Sequence, residues 1–285
     1  MSLFEMVILA IVQGIAEFLP ISSSGHLVLV GRWLGYNSES ATVEIILHGG
    51  TLGSILVVYW RRILRLLVQD RRVIPLLIVG TVPAVLVGLP IKLFAESWLK
   101  DPLLAGCLLL VTAALLLGLK RLRPGTVEYA DLRWWQALAI GCFQAVAILP
   151  GISRSGATIF GGRWFGLRGD EAVTFSFLLA IPALSGATVL ALRDLMKPAT
   201  DQPTIGVLVT GALISFVLGI FALRWLMVWA RKDRLHWFAA WCAPLGLLVI
   251  GLSLAGALSG TTEDSPLSTD PSPAVSENTE LGSGR

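Results

Sequence analysis

Gln13 and Glu17 are four residues apart, which puts both side chains on one face of a helix. The chain then passes through Pro20, Ser22, Ser23, Ser24 and Gly25 to His26, so that an amide, a carboxylate, three hydroxyls and an imidazole interrupt an otherwise membrane-like stretch, QGIAEFLPISSSGH. Serines before a helix most commonly cap its free N–H groups. The same N–H groups, at the positive end of the helix dipole, also make an anion site, and His26 in the first turn could exchange a hydrogen bond with a phosphate oxygen. Residues 144–158, QAVAILPGISRSGAT, bring Ser153, Arg154, Ser155 and Gly156 in an equally apolar setting. An arginine there must find a partner, and its planar fork suits phosphate or carboxylate. Two helix N-termini and one arginine converging on a cavity call for an anion of high charge density, a phosphate or a diphosphate. Glu17 at such depth is costly and marks a functional site. The plainer reading is that Glu17 simply pairs with Arg154 and holds two segments together.

These groups need a frame that buries them. Leu19-Pro20-Ile21-Ser22-Ser23-Ser24-Gly25 matches Leu149-Pro150 and, past one inserted Gly151, Ile152-Ser153-Arg154-Ser155-Gly156, an internal repeat. The 285 residues are 55% hydrophobic and only 14% charged, against about a quarter charged in soluble domains, which excludes a soluble enzyme. A mean hydropathy of +0.76 says the same. The apolar start at 3–21 lacks a basic leader and carries Glu5, Gln13 and Glu17, so it reads as part of the mature fold, not a signal peptide. Cys107, Cys142 and Cys242 lie in apolar runs and read as small core side chains.

A spanning helix needs about 20 apolar residues. By that measure the sequence predicts six transmembrane helices, near 42–60, 73–94, 102–120, 171–193, 203–228 and 236–258. The two motif regions are different. Residues 3–19 are stopped by Pro20 and followed by a shorter run at 26–34, and 134–149 with 155–165 repeat the arrangement. Each reads as a re-entrant helix-loop-helix hairpin, and such backbone is tolerated only inside a bundle, where the two loops would face each other. Three crossings separate the hairpins, which turns the second unit upside down. The expected fold is an all-α polytopic membrane protein with an inverted-topology repeat: a first repeat at 1–122, a second at 123–258 and a disordered tail at 259–285 rich in Ser, Thr, Pro and acids.

Basic residues between Arg61 and Arg72, Lys120 and Arg133, Arg163 and Arg168, and Arg224 and Arg234 collect on one side, leaving Arg32, Lys92, Lys100, Arg193, Lys197 and Arg285 for the other. The richer side belongs in the cytoplasm, so both termini and the mouth of the first hairpin face outward. The net charge of +3 is thus a topology signal, and no nucleic-acid partner is implied. Glu44 and His48, also spaced i, i+4, either reach the cavity or satisfy each other. Pro83 and Pro182 are expected to kink their helices, and Trp134 with Trp135 to anchor at an interface.

At these residues the chain resembles the bacterial undecaprenyl-diphosphate phosphatases, also known as bacitracin-resistance proteins. Gln13 and Glu17 meet the family's (Glu or Gln)-x-x-x-Glu, Ser22 to His26 its serine-rich Gly-His element, and Pro150 to Thr158 its Pro-Gly-x-Ser-Arg-Ser-Gly-Ala-Thr; the run from Phe175 to Pro182 is also similar. The resemblance covers roughly 3–258. It implies a plasma-membrane enzyme that hydrolyses a polyprenyl diphosphate carrier lipid to its monophosphate and inorganic phosphate on the outer face, recycling the carrier for peptidoglycan. It also implies Mg²⁺ or Ca²⁺ as cofactor. Gln13 departs from the Glu of many members and removes a charge from the cation site that Gln13 and Glu17 would form.

On that resemblance Glu17, Ser23, His26 and Arg154 are the expected catalytic set, with Ser23 as nucleophile and His26 as acid or base. Ser22, Ser24, Gly25, Ser153, Arg154, Ser155 and Gly156 would hold the substrate's phosphates. Direct attack by a cation-activated water remains open beside the serine route, and so does assembly of the chain as a homodimer in the bilayer. A transporter or flippase of a phosphorylated lipid would need the same inverted repeat and half-helices. The acid-phosphatase-like lipid phosphatases, with Ser-Gly-His and a later Ser-Arg-x₅-His, fail on histidine count, because only His48 and His236 remain.

Overall fold

The computed structural model describes residues 1–34, 41–94, 99, 101–195 and 203–256. Eleven α-helices, with no strand among the described residues, follow one another: α1 Leu3–Ala16, α2 Ser23–Trp33, α3 Ala41–Val58, α4 Trp60–Val68, α5 Val73–Phe94, α6 Pro102–Leu119, α7 Trp134–Val146, α8 Arg154–Trp164, α9 Gly169–Leu195, α10 Ile205–Arg231 and α11 Ala239–Leu254. Among the described residues, four stretches are long and apolar enough to cross a membrane: Val73–Ile91, Pro102–Leu119, Ile205–Arg231 and Leu235–Leu254. Thr42–Val58 with Trp60–Val68 makes a fifth as a broken pair bent by 66°. The chain is a multi-pass membrane protein. The expected tail at 259–285 lies outside the described residues, as do the side chains of Arg32, Lys92, Lys100, Arg193 and Lys197.

The expected crossing at 42–60 ends two residues early, at Val58, and α4 turns away from it. Trp60 opens a run, WRRILRLLV, whose alternation of basic and apolar residues suits a boundary better than a bilayer core. Proline sets the other break less sharply than expected: α1 stops at Ala16, and residues 17–20 run in turns to Pro20. Trp134 and Trp135 are exposed at the start of α7, as an interfacial anchor requires.

α1 packs on α2 and α7 on α8, so both motif regions are hairpins. Each hairpin also leans on a helix of the other half of the chain, α1 on α10 and α7 on α5, while α3 meets α9 and α6 meets α11. Helices in lipid gain nothing from a hydrophobic effect between them and associate through close backbone approach. Small residues supply it here. Gly50, Gly53 and Ser54 of α3 face Ser215, Phe216 and Gly219 of α10, and the Ser54 hydroxyl donates to the Phe216 carbonyl at 2.7 Å. Gly80 meets Gly141 between α5 and α7, and Gly106 meets Gly246 between α6 and α11.

At one end ion pairs gather, and one of them, Arg62 with Glu171, joins the two halves. Arg62 lies 3.6 Å and Arg168 3.2 Å from Glu171, Arg231 lies 3.7 Å from Asp170, and buried Arg163 is 3.2 Å from Asp233. Burial holds the Tyr129 hydroxyl above its usual pKa, and it donates to Asp70 at 3.4 Å. A Cβ at Gly141 would overlap the Gly80 carbonyl oxygen, which is backbone and cannot rotate away. Gly141→Ala is therefore expected to cost about 1–3 kcal/mol. Gly251→Ala, where nothing lies within 4 Å, is expected to unfold in denaturing detergent no earlier than wild type.

Candidate active site

The repeated motif folds twice into one local structure. Ser22 immediately precedes α2, and its Oγ accepts the Gly25 N–H at 3.4 Å; Ser153 immediately precedes α8, and its Oγ accepts the Gly156 N–H at 3.1 Å. The second serines follow suit, Ser24 hydrogen-bonding Ser22 at 3.4 Å and Ser155 hydrogen-bonding Ser153 at 3.1 Å. Each loop also needs one residue in the left-handed region. Ser22 takes it at φ 69° in the first, and the inserted Gly151 takes it at φ 94° in the second, packed so tightly on Ala105 of α6 that no side chain fits. Capping thus occupies the Gly25 and Gly156 N–H groups expected to meet phosphate. The first-turn N–H groups of Ser23, Ser24, Arg154 and Ser155 have no partner among the described residues and remain as donors.

The two loops lie against each other. Ser155 Oγ donates to the Leu19 carbonyl at 3.3 Å, and a Cβ on Gly25 would come within 3.6 Å of Gly151. What differs is the first residue of each half-helix, Ser23 in α2 and Arg154 in α8, and both reach one carboxylate. Ser23 Oγ donates to Glu17 Oε2 at 2.8 Å, while Arg154 Nη2 donates to Glu17 Oε1. Gln13 Nε2 gives the carboxylate its third hydrogen bond, to Oε2 at 3.1 Å, and His48 Nε2 stands 3.7 Å from Oε2. Glu17 is buried at the last turn of α1, so these partners are its whole solvation. The pairing of Glu17 with Arg154 is therefore present, but it is not alone.

Two groups in this cluster keep unused capacity. Gln13 Oε1 and Arg154 Nη1 are buried and have no hydrogen-bond partner among the described residues. One is an acceptor and the other a cationic donor, so the site offers complementary contacts to a cation and to an anion.

His26 stands apart from Glu17. Its Nδ1 is 2.7 Å from the Ser22 carbonyl, an acceptor only, and its Nε2 is 2.9 Å from the indole N–H of Trp241, a donor only. That arrangement admits one state, a neutral imidazole with the proton on Nδ1 and the Nε2 lone pair held by Trp241. Trp241, on α11, is 215 residues away in sequence and belongs to no motif, so nothing in the pattern points to it. His48 reaches the cluster, whereas the Glu44 side chain is exposed. Thr112 of α6 escaped the sequence reading as one hydroxyl in a run of leucines. Buried, it donates to the Gly151 carbonyl at 2.8 Å and accepts the Ser153 N–H at 3.0 Å, fixing the second loop.

A family model described as "Bacitracin resistance protein BacA" matches residues 6–248. The chain is 61% identical over 253 residues to a protein named undecaprenyl-diphosphatase in Rhodopirellula baltica, a match spanning 88% of this chain and 98% of that one. Proteins of the same name in Desulfatibacillum aliphaticivorans and Alkaliphilus metalliredigens are 36% and 37% identical, over 86% and 89% of this chain and 97% and 100% of theirs.

Thr112→Val keeps the shape of that side chain and strands a buried carbonyl and a buried N–H. Each unsatisfied group costs about 1–3 kcal/mol. Unfolding in detergent is expected to show the loss, and Thr112→Ser to recover most of it.

Proposed function

The chain belongs to the BacA bacitracin-resistance family, and from that membership and the site above we propose that it hydrolyses undecaprenyl diphosphate to undecaprenyl phosphate and inorganic phosphate. The observation that carries the chemistry is the convergence of Ser23 and Arg154, the leading residues of two half-helices, on Glu17. The transport reading draws no support from the relatives, which are named for hydrolysis.

Six crossings and two re-entrant hairpins in an inverted repeat describe the architecture of this reading. It is supported by the matching caps of α2 and α8 and by the reciprocal packing of α1 on α10 and α7 on α5. Lys120, Arg163, Arg168 and Arg231 line neighbouring cavities at one end, which supports a cytoplasmic face there and a site opening to the outside.

In the proposed reaction the diphosphate takes Arg154 Nη1 and the free first-turn N–H groups of α2 and α8, which stabilise charge developing at the terminal phosphorus. Ser23 Oγ attacks that phosphorus as its proton passes to Glu17 Oε2, already its acceptor at 2.8 Å. The bond to the bridging oxygen breaks, and undecaprenyl phosphate leaves with the electron pair. Water then attacks the phosphoserine, giving its proton to His26 Nε2 once the Trp241 N–H releases that lone pair; His26 passes the proton to the departing inorganic phosphate, and Glu17 returns its own to Ser23. Trp241 acts here as a positioning residue, orienting the neutral imidazole and keeping its proton on Nδ1 until Nε2 is needed.

A hard divalent cation suits the oxygen donors present. Buried Gln13 Oε1 is without a partner among the described residues and lies beside a single carboxylate, a set that suits an ion shared with substrate phosphates. Gln13 and Glu17 would hold Mg²⁺ or Ca²⁺, which would supply neutralising charge to the phosphate oxygens.

Arg154→Lys preserves the charge opposite Glu17 but loses the fork, and phosphate release from undecaprenyl diphosphate is expected to fall about a hundredfold or more. Ser23→Ala should leave no trapped phosphoserine and comparably little turnover; near-normal release in that variant would reject the serine route. Trp241→Phe keeps the ring and removes the donor. Its kcat is expected to drop roughly tenfold, the worth of about one hydrogen bond, with KM little changed.

A further inference from the structure

The short helix α4 has three distinct faces. Trp60, Leu64, Leu67 and Val68 fall at i, i+4, i+7 and i+8, and all four are exposed. Arg62, Ile63 and Leu66 turn inward. Leu66 is buried, and Arg62 is pinned by Glu171 at 3.6 Å with its guanidinium 5.7 Å from the centre of the Tyr129 ring. Between the two faces, Arg61 and Arg65 are exposed and pair with no carboxylate among the described residues, and Arg61 lies 5.3 Å over the Trp60 ring. Arg71 and Arg72, just after α4, are exposed as well, and the one acid of this stretch, Asp70, accepts from Tyr129.

The 66° bend at Tyr59 carries α4 out of the direction of α3; with α3 as a crossing of the proposed architecture, α4 lies towards the membrane plane. Tyr59 makes the bend firm. It is buried, with its hydroxyl 3.3 Å from Met227 Sδ of α10. An apolar outer face flanked by an unpaired basic edge is the chemistry of a helix seated at a lipid boundary, acyl chains on one side and headgroups on the other.

We infer that α4 is a binding surface for anionic phospholipid, with Trp60, Leu64, Leu67 and Val68 sunk among the acyl chains and Arg61 and Arg65 holding phosphate-bearing headgroups of the cytoplasmic leaflet. This rests on the membrane orientation proposed above. The occupant is lipid and not a second copy of the chain, because facing copies of α4 would bring the exposed arginines together without a compensating acid. A cation on this edge strengthens attraction to an anionic leaflet about fivefold per residue.

Trp60 supplies the reporter. Full-length protein is placed in lipid nanodiscs holding a minority of either phosphatidylglycerol or phosphatidylcholine brominated on the acyl chains. The emission missing from a Trp60→Phe variant is assigned to Trp60. Brominated phosphatidylglycerol is expected to quench that signal more than brominated phosphatidylcholine at equal amount. Arg61→Gln with Arg65→Gln is expected to lower the preference by roughly tenfold or more. Equal quenching by the two lipids in wild type overturns the inference, and so does absence of quenching by either, the result expected if a second copy covers the face. Phosphate release is read in the same discs. The double variant should keep it, and discs of wild type that release none would reject the proposed reaction while the quenching result stands by itself.

Discussion

One buried carboxylate holds this structure's two broken hairpins to a common point. Glu17 takes hydrogen bonds from Gln13, Ser23 and Arg154, and those donors come from the first helix, the second helix and a helix in the other half of the chain. Removing one partner from a buried ion pair typically costs about 3–5 kcal/mol, because the remaining charge is left without solvent or partner. Everything that brings Arg154 to Glu17 is therefore under strong constraint. That includes the left-handed turn at Gly151, its seat on Ala105, and the Thr112 hydroxyl that ties the loop. The pair organises the loops, and the same geometry leaves one guanidinium nitrogen and one amide oxygen available.

The repeat is symmetric where it builds backbone and asymmetric where it does chemistry. Both loops use the same Ser-x-Ser-Gly hydroxyl pattern to close a helix start. In between, one half presents Ser23 and the other Arg154. Glu17 itself corresponds in register to Ala147, so a single acid serves both. The third divergence is in the hairpins' neighbours: Trp241 of α11 meets His26, whereas Thr112 of α6 supports the loop before α8.

Much of this was legible from residue types and order. Apolar length located the helices to within a few residues, and Pro20 and Pro150 marked where two of them stop short. The serine clusters announced helix starts, and Glu17 with Arg154 announced a pair, because each would otherwise be stranded in an apolar setting. The parts that were not legible depend on contacts between distant segments. Trp241 looks like any interfacial tryptophan until α11 is placed beside α2. Thr112 looks like any tolerated hydroxyl until Gly151 is set against it. The end of α3 is legible to within two residues, but the basic stretch after it reads only as a charge signal for one side, and the helical spacing of its arginines and leucines, which makes it α4, escapes that reading.

The separation of Glu17 from its counter-charge has a consequence for how such a chain is made. The two residues are 137 positions apart, and the last protein groups to touch the first hairpin, Trp241 and Cys242, are farther still. While the polypeptide emerges in order, the opening hairpin has an uncompensated acid and an unfinished wall until most of its length has been synthesised. Insertion cannot then proceed as a series of independently stable spans. The N-terminal segment has to be sheltered, at the membrane surface or by the insertion machinery, until the later helices arrive to receive it.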